Sequence, residues 1–143
     1  MTLIKSISGI RGTIGGEPGS SLTPIDIVKF SAAFGMWVKN RFPNQKSTIV
    51  IGRDARISGE MVRDLCASTL ISLGIDVIDL GLSTTPTVEI ATASENAQGG
   101  IILTASHNPK QWNALKLLNE KGEFISAQDG KDLLSIIEKD QYL

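Results

Sequence analysis

Three short apolar runs alternate with stretches of helical periodicity, and that alternation limits the chain to an α/β fold. The first run, "TIVI" from Thr48 to Ile51, is β-branched and has no polar face, which predicts a strand buried on both sides. "DVIDL", from Asp76 to Leu80, and "GIILT", from Gly100 to Thr104, repeat the pattern. Helices are expected between them. Thr23, Pro24 and Asp26 read as an N-cap, a proline at the first helical position and an acid at the third. A helix from about Pro24 to Arg41 follows, with Ile27, Phe30, Phe34, Trp37 and Val38 as its buried stripe. Ser58 is placed to cap the next, where Met61, Val62, Leu65, Cys66, Thr69 and Leu70 face inward until Gly74 stops it. Pro86 opens a third helix to about Ala97, and a last one runs from about Asp129 to Glu138. "ALKLLN" and "EFI" read as two strands joined by a turn over Asn119 to Gly122. The expected architecture is a three-layer α/β/α sandwich with a mixed, largely parallel sheet, built as one domain over residues 1–143.

At 143 residues the chain can bury roughly two thirds of its unfolded surface. Its 14 basic and 15 acidic residues leave a net charge of −1, so no nucleic-acid partner and no basic membrane patch is expected. Cys66 is the only cysteine, which excludes an internal disulfide and fits a reducing, cytoplasmic compartment. The N-terminus lacks the apolar region of a signal peptide, and no stretch approaches the roughly 20 apolar residues of a membrane span. The polar end, "EKDQYL", reads as a cut site as readily as a natural terminus.

Ligands of open α/β sheets bind beyond the carboxyl ends of the strands. Those segments hold Arg53, Asp54, Arg56 and Ser58, then Ser83, Thr84 and Thr85, then Thr104, Ser106, His107 and Asn108. A further loop, "SGIRGTIGG", sets Arg11 between glycines, where exposed amides admit an anion; the alternative is a solvated charge on a chain that merely turns. "RDAR" reads as an ion-pair network holding a loop, with Arg53 or Arg56 bidentate to a structural Asp54. His107, the chain's only histidine, either fixes its loop by hydrogen bonds or acts at the site. Ser106 and His107 do not make a serine hydrolase, since the orienting acid and the "GxSxG" elbow are missing and sequence neighbours rarely face each other. No P-loop occurs, and one histidine with one distant cysteine makes no nitrogen and sulfur metal site. A serine hydroxyl at the end of a buried strand, rimmed by arginines, can carry a phosphoryl group that Mg²⁺ and cations stabilise. Lys116 breaks an otherwise apolar strand and is either a snorkelling edge lysine or a charge wanted at the site.

"TASHNP" closely resembles the phosphoserine loop of the α-D-phosphohexomutases, the phosphoglucomutase/phosphomannomutase family. "SGIRGTIGG", "GRDARISGE" and "GLSTTPT" resemble three further segments of that family, in the same order. The resemblance implies that Ser106 is phosphorylated in the resting enzyme and passes its phosphoryl group to a sugar phosphate. It makes His107 a loop member at the catalytic centre, Asn108 and Thr104 substrate-binding, and Arg11 and Lys116 proton-transfer or charge-stabilising groups. Mg²⁺ would be held partly through the phosphate on Ser106, and hexose 1,6-bisphosphate would act as activator. Phosphate would move between the 1 and 6 positions of a hexose through a bisphosphorylated intermediate.

Two departures mark the chain. Asn113-Ala114 stands where many members read "NG" before the lysine, and only the first of four domains is recognisable. The carboxylate metal loop, the sugar-recognition loop and the C-terminal phosphate-binding loop are not found, so the remaining domains of the same polypeptide are expected as partners and the isolated domain is expected to be inactive. A stand-alone sugar-phosphate or anion-binding domain without catalysis is the alternative.

Overall fold

The computed structural model describes residues 1–6 and 8–141. Its elements are β1 (Ile4–Ser6), β2 (Gly9–Thr13), α1 (Pro24–Arg41), β3 (Thr48–Arg53), α2 (Gly59–Ser72), β4 (Asp76–Leu82), α3 (Thr85–Ser94), β5 (Gly99–Leu103), β6 (Trp112–Leu118) and α4 (Ala127–Glu138). One six-stranded sheet runs β1-β2-β6-β5-β3-β4.

The helix starts follow from their caps. Asp26 accepts the backbone N–H of Thr23 at 3.1 Å and its hydroxyl as well, and at the start of α4 Ser126 N–H donates to the Asp129 carboxylate while Ser126 Oγ accepts the Asp129 N–H, each at 3.1 Å. α2 stops because Gly74 takes a left-handed φ of +79° while Ile75 N–H bonds back to Leu70 and Gly74 N–H to Ile71, a Schellman closure. α3 ends at Ser94, short of the expected Ala97, since Asn96 turns left-handed at φ +52°.

Alternation along the strands makes the layers. Ile49, Ile51, Ile101, Leu103, Leu115 and Leu117 pack with α1, α2 and α4, whereas Val50, Ile102 and Leu118 pack with Val88 of α3. Each such fully buried aliphatic side chain is worth about 1.5–3 kcal/mol against its exposed state. The sandwich therefore has three helices on one face and α3 alone on the other. α3 packs on β3 and β5, which leaves the β6 and β2 side of that face open.

The parallel part is β4-β3-β5; the β5-β6, β6-β2 and β2-β1 pairings are antiparallel. Parallel pairing is thus a smaller share than the strand and helix alternation suggests. The reason lies in "SGIRGTIGG", which is not a loop: residues 9–13 are a strand between β1 and β6. Gly9 is required there, because a Cβ at that position would lie 1.9 Å from the carbonyl oxygen of Leu115. "EFI", by contrast, contributes only an isolated bridge between Leu118 and Phe124. Among the described residues no helix is long and apolar enough to cross a membrane.

Candidate functional site

β3 has β4 on one side and β5 on the other, so the loops after β3 and β5 flank the crevice where the chain direction across the sheet switches. Asp54, Arg56 and Ser58 leave β3; Thr104 to Asn108 leave β5.

Asp54 and Arg56 join the two loops. The Oδ2 atom of Asp54 accepts from Arg56 Nε at 3.1 Å and from the Thr104 hydroxyl at 2.6 Å, while Oδ1 accepts the Arg56 backbone N–H at 3.1 Å. The guanidinium of Arg56 then donates to four carbonyl oxygens of the next loop: Pro109 at 2.7 Å, Trp112 at 3.0 Å, and Ser106 and Asn108 at 2.9 Å each. Planar, delocalised and rigid, the arginine fork suits such a multiple contact, which a lysine ammonium could not reproduce. The expected ion pair is therefore made by Arg56, through one guanidinium nitrogen and its own amide and not bidentately. Arg53 does not share it: its Nη1 reaches only the Asp54 carbonyl oxygen at 3.3 Å, and its Nε is buried without a hydrogen-bond partner.

Ser106 sits at the first central position of a turn closed by Asn108 N–H to the Ala105 carbonyl at 3.0 Å. Its φ is +50°, a left-handed torsion that costs a non-glycine residue about 1–3 kcal/mol. Its hydroxyl is exposed and accepts from Lys116 Nζ at 2.6 Å. Lys116 is half-buried on β6, and its neighbour across the sheet is Gly9; Arg11 stands two residues further along β2, opposite Ala114. Opposed residues share a face, so both cations emerge on the open side of the sheet. Arg11 Nη1 reaches Asn108 Oδ1 at 3.5 Å. Among the described residues neither Arg11 nor Lys116 has a carboxylate within ion-pair distance.

Two cavities meet at this pair. One, of about 220 Å³, is lined by Arg11, Ser106, His107, Asn108 and Lys116; the other, of about 300 Å³, extends past Arg11 and Lys116 to Ser6 and Ser8. Unneutralised cations around an exposed hydroxyl make a site for an anion. His107 borders the first cavity and forms no hydrogen bond within the described residues, so it does not fix the loop in that way. Thr104 turns its hydroxyl into the Asp54 network and not into the cavity, accepting the Ser106 N–H at 3.1 Å.

Ser58 departs from expectation. Its side chain makes no capping bond to α2; instead its hydroxyl accepts from the amide of Asn113 at 2.9 Å. Asn113 is fully buried, and its Oδ1 accepts the Ala114 N–H at 2.8 Å. The sequence signal for this residue was present in "NA", a polar amide ahead of an apolar strand. Lys116 reaches Ser106 with alanine at position 114.

Residues 3–143 match the family description phosphoglucomutase/phosphomannomutase, alpha/beta/alpha domain I. The chain is 44% identical over 114 residues to a phosphoglucomutase/phosphomannomutase of Thermococcus kodakarensis, covering 80% of this chain and 24% of that protein. It is 34% identical over 140 residues to a phosphoglucosamine mutase of Helicobacter pylori, covering 98% of this chain and 30% of that one. Among solved structures, a Thermus thermophilus protein assigned to the phosphomannomutases superposes with a TM-score of 0.83 at 27% identity, over 96% of this chain and 30% of its own. A phosphoglucomutase/phosphomannomutase family protein from Burkholderia thailandensis gives 0.75 at 27% identity, over 94% and 30%. The chain thus spans 24–30% of the length of these relatives.

Proposed function

Since this chain belongs to the phosphoglucomutase/phosphomannomutase family, as its domain I, we propose that it carries the phosphoryl group of a hexose phosphate mutase on Ser106. The observation that supports this most directly is an exposed hydroxyl on the tip of a turn, 2.6 Å from a lysine that no carboxylate among the described residues neutralises. A phosphoserine there would carry between one and a half and two negative charges at neutral pH, and Lys116 and Arg11 are the cations beside it.

In the proposed step a sugar hydroxyl gives up its proton to solvent as its oxygen attacks phosphorus, the bond from phosphorus to Ser106 Oγ breaks, and the serine oxygen takes up a proton as it leaves. Lys116, already bonded to that oxygen, is the donor; in the return half-reaction it accepts the proton again. Arg11 stabilises charge on the transferred group. His107 borders the cavity within reach of the phosphoryl oxygens, and Asn108, held by Arg11, faces the bound sugar phosphate. Carrying phosphate between positions 1 and 6 needs a hexose bisphosphate intermediate that turns round in the site, and hexose 1,6-bisphosphate would serve to load Ser106.

Mg²⁺ does not fit the described residues taken by themselves. No group of three or more His, Cys, Asp or Glu side chains converges among them, and Asp54 is committed to Arg56 and Thr104. Phosphate oxygens on Ser106 would supply one ligand, so carboxylates from further domains of the polypeptide belong to the same proposal, as does a cytoplasmic setting. On this reading the 143 residues alone are inactive.

Peptide mapping by mass spectrometry, after incubating the gene product with hexose 1,6-bisphosphate and Mg²⁺, tests the assignment. Phosphate on Ser106 that exchanges into hexose monophosphate is the expected result. Sugar-phosphate binding with an unmodified Ser106 would replace the mutase by an anion-binding domain without catalysis.

A further inference from the structure

Both peptide groups of Ser106 are held by one carboxylate. Its N–H donates to the Thr104 hydroxyl at 3.1 Å, and that hydroxyl donates to Asp54 Oδ2 at 2.6 Å. Its carbonyl accepts from Arg56 Nη2 at 2.9 Å, and Arg56 Nε donates to the same Oδ2 at 3.1 Å. The bonds close a ring: Asp54, Thr104, the Ser106 peptide units, Arg56 and back to Asp54. Inside that ring lies the φ of +50°, which is disfavoured for serine and persists only when its surroundings over-determine it. A freely turning chain would leave it.

From this ring we infer that Asp54, with Thr104 and Arg56 as its two arms, is a positioning residue that sets the backbone torsion of Ser106 and so aims its hydroxyl at Lys116. The torsion decides which side of the turn the Cβ atom leaves from. With an ordinary φ, the hydroxyl would swing away from the ammonium now 2.6 Å from it. The hub of the ring is half-buried, with side-chain exposures of 11% for Arg56 and 30% for Asp54, which shields the two bonds to Asp54 from competing water, whereas the two bonds to the Ser106 peptide groups are exposed. Two residues of the loop after β3 and one of the loop after β5 thus hold one dihedral angle without touching the transferred group. The part of this inference that concerns catalysis rests on the phosphoserine reading; the part that concerns the torsion does not.

The test uses three variants of the chain and two readouts. Thr104→Val removes the hydroxyl link at constant shape, Asp54→Asn removes the charge at the hub, and Thr104→Ser keeps the hydroxyl. The first readout is the Ser106 Cα and Cβ chemical shifts, which report the sign of φ, and the exchange rate of its amide. Thr104→Val and Asp54→Asn should move the shifts toward ordinary values and speed exchange at Ser106, with the rest of the spectrum unchanged, and Thr104→Ser should restore both. Left-handed shifts that persist in Thr104→Val overturn the inference, and that variant decides if Asp54→Asn fails to fold. The second readout is single-turnover phosphorylation of Ser106 by hexose 1,6-bisphosphate and Mg²⁺ in the gene product. There the maximal rate should fall about tenfold or more, with half-saturation unchanged. Shifts that move without loss of rate overturn the catalytic part, whereas no phosphorylation in the unaltered protein overturns the mutase reading and leaves the torsion result standing.

Discussion

The Nζ atom of Lys116 lies 2.6 Å from the Oγ atom of Ser106, ten residues earlier in the chain. No turn could bring them together. Ser106 is on the loop after β5 and Lys116 is on β6, the antiparallel neighbour of β5, where it sits opposite Ile102. Chain reversal between the two strands carries the lysine back beneath the Ser106 hydroxyl. Lys116→Met keeps the aliphatic length and removes the ammonium. It should lower turnover of the gene product by about 10²–10⁴-fold, the usual worth of a positioned proton donor. Steady-state assay of hexose phosphate isomerisation checks this, and unchanged turnover would remove Lys116 from the mechanism.

Ser106→Ala deletes an exposed hydroxyl whose single bond goes to a lysine. Stability should stay within about 0.5 kcal/mol of the parent, as for other surface changes away from packing, while phosphate incorporation and turnover disappear. Thermal unfolding and peptide mapping read the two effects separately, and activity retained in the alanine variant would refute the phosphoserine.

Most of the scaffold and part of this site were legible in the sequence, for identifiable reasons. The buried runs around Val50 and Ile102 declared themselves by having no polar face, and the caps at Thr23 and the stop at Gly74 by residue chemistry. β2 was hidden. Gly9 and Gly12 lower its strand propensity, yet they are there because Leu115 and Leu22 approach too closely for any side chain. Arg11 was therefore found while its element was misread. The torsion of Ser106 was equally invisible, since serine carries no signal for a positive φ and the carboxylate and guanidinium that anchor its ring, on Asp54 and Arg56, lie about fifty positions away. Only the pairing of loops across the sheet reveals them.

Ser58 offers a stability test of that pairing. Ser58→Ala would leave the buried Asn113 amide without its 2.9 Å acceptor, at a cost of about 1–3 kcal/mol. Urea unfolding of Ser58→Ala, of an Asn113→Ala variant and of the double substitution should show strong non-additivity, because the two side chains share one bond. Additive losses would mean that Ser58 acts on α2 after all.

Cys66 gives the last prediction, and it runs against the usual direction of alkaline chemistry at a thiol. Burial pushes its pKa from 9.0 up to about 12, because the thiolate would lose its hydration among the side chains of α1, α2 and the sheet. In the unfolded chain the thiol ionises near its ordinary value, so between about pH 9 and 12 the unfolded state binds fewer protons than the folded one. The stabilisation that this group supplies is complete below pH 9 and is lost as pH rises through that window. Cys66→Ala removes the thiol and leaves a small cavity whose cost does not depend on pH. Measured by urea unfolding from pH 7 to 10.5, the parent should therefore lose its advantage over Cys66→Ala above pH 9. Folded protein at pH 8 should also resist alkylation at Cys66, reacting only when denatured. A stability gap that stays constant with pH, or rapid alkylation in the folded state, would show that the thiol reaches solvent.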